Sequence, residues 1–196
     1  MLRALPRLSV ADDDISSQFN FLWNSELIAP MNLDEDCQPL GSGRADMYSH
    51  ETRINATRCV LDALAGWLQW MKDNGVYDNT KIIIAADHGA GRYDKDWYKR
   101  AVNPMLLVKD FSSAGPLKTS DVLMQNSDVA ALICSALGGC DGIMEDPSKS
   151  PIPNRTAKYF YTTHGNYSFA KESRRFEIKE VFEVHGDVRE DPTFDW

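Results

Sequence analysis

Basic residues are the minority charge in this sequence: 21 Lys and Arg stand against 29 Asp and Glu, for a formal net charge of −8. Nucleic acids and anionic membrane surfaces are held through phosphate, which requires a basic face, so neither is expected as a partner. Long apolar runs are also missing. None approaches the roughly 20 residues needed to cross a bilayer, so no membrane segment is expected. The opening MLRALPRLSV is too short, and too soon interrupted by Pro6, to read as a secretory signal. Cysteine is scarce, with four residues and no CxxC spacing, which speaks against a zinc ribbon. Cys37, Cys59, Cys134 and Cys140 leave two readings open: disulfides in an oxidising compartment, or buried free thiols. There is no internal repeat and no low-complexity tract.

What is present is an ordinary globular composition, 43% hydrophobic and 26% charged over 196 residues, enough for one α/β domain and short for two. Three sequons, at Asn55, Asn154 and Asn166, matter only in a source that glycosylates. Along the chain, Phe19 to Trp23 reads as a buried strand, and residues 24–43, with two prolines and two glycines, as a long irregular loop. From about Met47 to Asn74, Ile54, Val60, Leu61, Leu64, Trp67, Leu68 and Met71 recur at helical spacing. They predict a long amphipathic helix stopped by Asn74-Gly75.

Residues 82–85 then form an apolar run with three isoleucines. β-branched side chains favour a strand, and the lack of polar alternation points to a strand covered on both faces, as in a parallel sheet flanked by helices. Met105 to Val108 reads as a second short buried strand, and Ser127 as the cap of a helix running to Gly138-Gly139. Lys158 to Thr163 and Arg175 to Val184 alternate instead, the pattern of antiparallel strands exposed on one face. The expected class is therefore α/β with an antiparallel C-terminal element.

The apolar run ends abruptly in Asp87-His88-Gly89. Carboxylate oxygen and imidazole nitrogen together suit a divalent ion, which can polarise a phosphoryl or sulfuryl oxygen. Adjacent residues of a strand point to opposite faces, so the two can share an ion only if the strand stops and the backbone turns. Gly89 and Gly91 allow that turn. Taken alone, the three residues fit equally well a turn with a hydrogen-bonded Asp-His pair.

The wider run, RCVLDALAGWLQWMKDNGVYDNTKIIIAADHGAG at residues 58–91, resembles the alkaline phosphatase superfamily, in the branch of arylsulfatases, lipoteichoic acid synthases and phosphoethanolamine transferases. There a similar helix end leads into a strand ending in Ser-Asp-His-Gly, with Ala86 here in the serine position. Asn103 to Lys109 looks like the family's next strand, Ser127 to Ala130 like the opening of a late helix, and Val184 to Trp196 like its closing segment. The resemblance implies an alkaline-phosphatase-like, mostly parallel sheet flanked by helices. It implies that residues 1–196 are the C-terminal portion of a sulfatase-like catalytic domain, an incomplete one, with 18–140 its α/β part and 155–196 its antiparallel element. By carry-over, Asp87 and His88 are metal ligands for Zn, Mn, Ca or Mg, the substrate is a sulfate or phosphate ester, and the setting is extracytoplasmic or secretory.

The chain also departs from the family. Its nucleophile, a Thr, a Ser or a Cys converted to formylglycine, stands early in the domain, and no segment here aligns with it. In the 24–33 loop Asn24 and Pro30 match, but Leu27 and Ile28 occupy the Thr and His positions. His50 reads as a solvent-exposed helix residue. His164 and His185 lie beside glycine, where a hydrogen-bonding role in a turn is the plain reading. Of the two, His164 is the candidate for a substrate contact. Lys95, Lys99 and Arg100 could face an anionic substrate, although such a run more often forms a solvated face.

Two functions follow: a metal-dependent hydrolase or phosphotransferase, and a diverged, non-catalytic module used for binding or assembly. An incomplete sheet would expose an apolar edge, so self-association is expected. The chain alone is expected to show no phosphatase or sulfatase turnover above background, because the group that forms the covalent intermediate is unassigned in it. Assays with an aryl phosphate and an aryl sulfate check this, and metal-dependent hydrolysis at roughly 1 s⁻¹ or faster would contradict it.

Overall fold

Ser49 starts the longest element, α1 (His50–Asp73), by accepting a hydrogen bond from the Thr52 backbone N–H at 3.1 Å, so one of the unpaired amides of the first turn is satisfied. The computed structural model describes residues 2–7, 18–25, 27, 33–41, 49–89, 104–142, 154–162, 180–185 and 193–195. It divides into two compact units, Met1–Thr80 and Lys81–Trp196.

In the first unit, α1 ends as its sequence predicts. Gly75 adopts φ +70°, the Val76 N–H reaches the Met71 carbonyl at 3.0 Å and the Gly75 N–H reaches that of Lys72 at 3.1 Å. This paired arrangement closes the last turn, and a left-handed residue there favours glycine. The Lys72 ammonium sits 4.9 Å from the centre of the Tyr77 ring, holding the chain that leaves the helix. The 3-10 helix Leu2–Arg7 packs on α1 and buries Leu5.

The buried stripe of α1 matches the expected one in part, with Met71 buried and Val60, Leu64, Trp67 and Leu68 half-buried. Thr52, Ala56, Cys59 and Met71 are buried, whereas Ile54 and Leu61 are about half exposed. Cys59 adds to that stripe because its disulfide to Cys37 holds this part of the helix to the 33–41 loop. The loop is further ordered by the Asp34 carboxylate, which accepts from the Asp36 and Gln38 amides at 3.0 and 2.8 Å, and by Arg58, which donates to the Glu35 carbonyl. Closing a loop of 22 residues is worth about 3 kcal/mol in the chain-entropy account.

The expected strand at Phe19 to Trp23 is not formed. Residues 18–25 carry no regular structure, and Phe21 and Trp23 are 79% and 72% exposed. The described core of this unit is helical, so the segment meets no strand there with which to pair.

The second unit contains β1 (Ile82–Ala85), β2 (Leu106–Lys109), α2 (Asp128–Ala136), β3 (Lys158–Thr162), β4 (Glu180–His185) and β5 (Thr193–Asp195). The mixture of helix and strand is as expected. β1 and β2, however, pair antiparallel, with Ile82 opposite Lys109 and Ala85 opposite Leu106. Among the described residues every strand pairing is antiparallel. Apolar, β-branched composition favours a well-packed strand, but strand direction is set by the connection and the partner, which composition does not encode.

Nor is the pair covered on both faces. Ile82 is buried, while Ala85, Met105 and Val108 are exposed. Lys81 and Asp110 extend the ladder as an opposite-charge pair at 3.6 Å, and the Lys81 ammonium also lies 3.4 Å from the Ser135 hydroxyl of α2.

β3, β4 and β5 form the antiparallel C-terminal sheet in that order, with Phe160 opposite Phe182 and Val184 opposite Phe194. In β4, Val184 is buried and Val181 exposed, the one-sided burial that the alternation predicted. Residues 175–179 of the expected strand lie outside the described residues.

Ser127 does not cap α2 through its side chain. Asp128, the first helical residue, instead reaches back: its carboxylate accepts from the Gln125 N–H at 2.7 Å and binds Arg155 through both terminal nitrogens at 2.6 and 2.8 Å. The C-terminal end of α2 closes at Gly138, φ +84°, with the Gly139 N–H on the Cys134 carbonyl at 2.9 Å, and is bridged by the Cys134–Cys140 disulfide.

Asp128 is nearly withdrawn from water, with 6% of its side chain accessible. Removing one partner of such a pair costs about 3–5 kcal/mol, because the other charge is left without compensation. Asp128→Ala is therefore expected to reduce amide exchange protection in α2 at least about a hundredfold. A reduction below about fivefold would contradict the role given to the pair.

Candidate cation site at the end of β1

The ladder between β1 and β2 runs one step past the strands, with the Ala86 N–H on the Met105 carbonyl at 2.9 Å. Beyond it the backbone turns, and Asp87 and His88 leave the sheet. The side chains are 87% and 71% accessible, open to a ligand arriving from solvent.

Each partner contact uses one half of each group. The Asp87 Oδ1 accepts from the His88 N–H at 3.0 Å, while His88 Nδ1 lies 2.9 Å from the Gly89 carbonyl. A carbonyl only accepts, so Nδ1 carries a hydrogen, and Nε2 is the ring nitrogen left to face a ligand. Nε2 and the second carboxylate oxygen, Oδ2, are 3.7 Å apart, too far for a direct hydrogen bond.

The span is slightly wider than the one two ligands of a bound ion would take, so a cation would draw the two atoms together. Two ligands of a four-coordinate ion with bonds of about 2.0–2.2 Å lie roughly 3.3–3.6 Å apart. A metal-binding histidine also characteristically donates its other ring N–H to a carbonyl or carboxylate, as His88 does to Gly89. Oxygen and nitrogen donors together suit Zn or Mn better than Ca or Mg, which prefer oxygen alone. Among the described residues no group of three or more His, Cys, Asp or Glu side chains is arranged to hold an ion.

The turn is anchored from a distance. The Asn126 Nδ2 donates to the Ala86 carbonyl at 3.2 Å and the Asp87 carbonyl at 2.6 Å. Asn126 also accepts from the Val129 N–H at 3.2 Å through its backbone, joining the turn to the start of α2. Two residues on, the Asp128–Arg155 pair ties the same helix end to the segment before β3.

Of the residues singled out in the sequence, Asp87 and His88 are brought together. His164, Lys95, Lys99, Arg100 and Gly91 lie outside the described residues. His50 is exposed at the first turn of α1, as expected. His185 stands on β4, not in a turn, with its Nε2 3.3 Å from the Glu183 carboxylate.

Asn126 and Arg155 carry no local sequence signal for these roles, since their partners are 39 or 40 and 27 residues away. The open groove of about 280 Å³ lined by Pro6, Asp62, Ala63, Gly66 and Trp67 holds a single titratable group and no comparable pair. Comparison with models of protein families, with curated proteins and with solved structures finds no match for this chain.

Proposed function

We propose that this chain is a sulfatase-like module of the alkaline phosphatase superfamily, serving metal-dependent hydrolysis or phosphoryl transfer on sulfate or phosphate esters. Asp87 and His88 are two of its cation ligands. The observation that carries this reading is the convergence of the Asp87 Oδ2 and His88 Nε2 at 3.7 Å where β1 ends, with Nδ1 held by the Gly89 carbonyl. A bound divalent ion would supply positive charge to the oxygens of a phosphoryl or sulfuryl group. Asp87 would contribute a carboxylate oxygen and His88 its Nε2, with Nδ1 held by the Gly89 carbonyl, and Asn126 holds the peptide between them.

The resemblance of residues 58–91 supplies the family. The mostly parallel sheet it implies would take β1 and β2 as an antiparallel pair within a mixed sheet, an arrangement common in large sheets. The Cys37–Cys59 and Cys134–Cys140 disulfides support an extracytoplasmic or secretory setting. No residue of this chain is assigned as the nucleophile. The second reading, a binding or assembly module without turnover, is favoured by the exposed Phe19, Phe21 and Trp23, which offer apolar surface to another chain.

Calorimetric titration with Zn²⁺ and Mn²⁺ tests the cation site. The wild type is expected to bind one equivalent, and the Asp87→Ala/His88→Ala double variant to bind at least roughly a hundredfold more weakly, with α1 and α2 intact by circular dichroism. Equal metal content in the two proteins would overturn the assignment.

A further inference from the structure

We propose that Asn126 is a positioning residue for the Asp87-His88 turn, setting the geometry in which the two side chains meet. This rests on the reading of those side chains as cation ligands.

Ala86 is the last residue of the run held by a ladder hydrogen bond, through its N–H to the Met105 carbonyl. The Asp87 carbonyl follows, and it belongs to the peptide plane that joins Asp87 to His88. Orienting that plane sets ψ of Asp87 and φ of His88. These are the two angles that decide whether neighbouring side chains diverge, as along a strand, or converge. The Asn126 amide donates to this carbonyl at 2.6 Å and to the preceding one, Ala86, at 3.2 Å. An amide nitrogen has two hydrogens and serves both acceptors, and only the nitrogen end of the side chain can do so.

The anchor is itself held. The Asn126 backbone carbonyl accepts from the Val129 N–H, and Asp128, two residues on, is locked by Gln125 and Arg155. Movement of Asn126 would therefore require the start of α2 to move with it. Ser127, next to it, is exposed and makes no side-chain cap contact, which makes it a matched control.

The experiment uses the full chain as wild type, Asn126→Ala, Asn126→Asp and Ser127→Ala. In metal-free protein, ¹⁵N relaxation is expected to show greater backbone mobility at residues 87–89 in both Asn126 variants. Aspartate preserves the side-chain volume but cannot donate from its ionised carboxylate. Ser127→Ala should match the wild type, and α2 should stay protected in all four proteins. Mn²⁺ affinity should fall about tenfold in Asn126→Ala, the usual scale for a group that orients a ligand. Unchanged mobility at residues 87–89, or a wild-type protein that binds Mn²⁺ while Asn126→Ala binds it within twofold as well, would overturn the proposal. If the wild type binds no Mn²⁺, the cation reading fails separately, and the relaxation data still decide whether Asn126 holds the turn.

Discussion

A carboxylate removed from water must be met by donors at close range, and the second unit is organised around one that is. Asp128 takes two hydrogen bonds from Arg155 and one from the Gln125 backbone. Three parts of the chain depend on this pairing: the start of α2, the segment leading into β3 and, through Asn126 two residues earlier, the turn at the end of β1. A bidentate pair of this kind selects one relative orientation of the segments it joins, because both guanidinium nitrogens must reach the same carboxylate. Its net contribution to stability is small against a well-packed apolar alternative, but the cost of breaking it is large. That asymmetry makes it a device for specifying one arrangement.

The first unit is held differently. α1 spans 24 residues and is closed at both ends, by the Ser49 hydroxyl and by the Gly75 turn. Glu51 and Lys72 place charge of the favourable sign in the first and last turns. Its buried stripe is short and includes a polar residue, Thr52, so the Cys37–Cys59 bridge takes a larger share of holding the loop to the helix. In the second unit the Cys134–Cys140 bridge closes a span of only six residues, worth about 2 kcal/mol on the same account.

Which features could be read from the sequence follows the distance over which they are encoded. The end of α1 at Asn74-Gly75 is local chemistry and is found where expected. So are the strand at 82–85, the strand expected at 105–108 and found at 106–109, and the one-sided burial of β4. The antiparallel pairing of β1 with β2, the choice of Cys59 for Cys37 and the inward turn of Thr52 and Ala56 depend on partners remote in the chain. Phe19 to Trp23 has strand composition in a unit whose described core offers no strand. Ser127 has the composition of a cap but makes no side-chain cap bond, and the adjacent Asp128 is held by a partner 27 residues away. At the site, the type and position of Asp87 and His88 were legible, since an apolar run that stops at two polar groups marks a strand end. Asn126 was not, because nothing in its neighbours points to carbonyls about 40 residues earlier.

On the proposed reading, a divalent cation would be held at the end of β1 and not by the general acidity of a chain with net charge −8. Paramagnetic broadening by substoichiometric Mn²⁺ in ¹H–¹⁵N spectra tests it most directly, because the effect falls steeply with distance from the ion. Amide signals of residues 86–89 and of Asn126 are predicted to disappear first, well before those of the acidic 34–36 loop. Broadening centred on that loop, or spread evenly over the acidic surface, would contradict a cation site at Asp87 and His88.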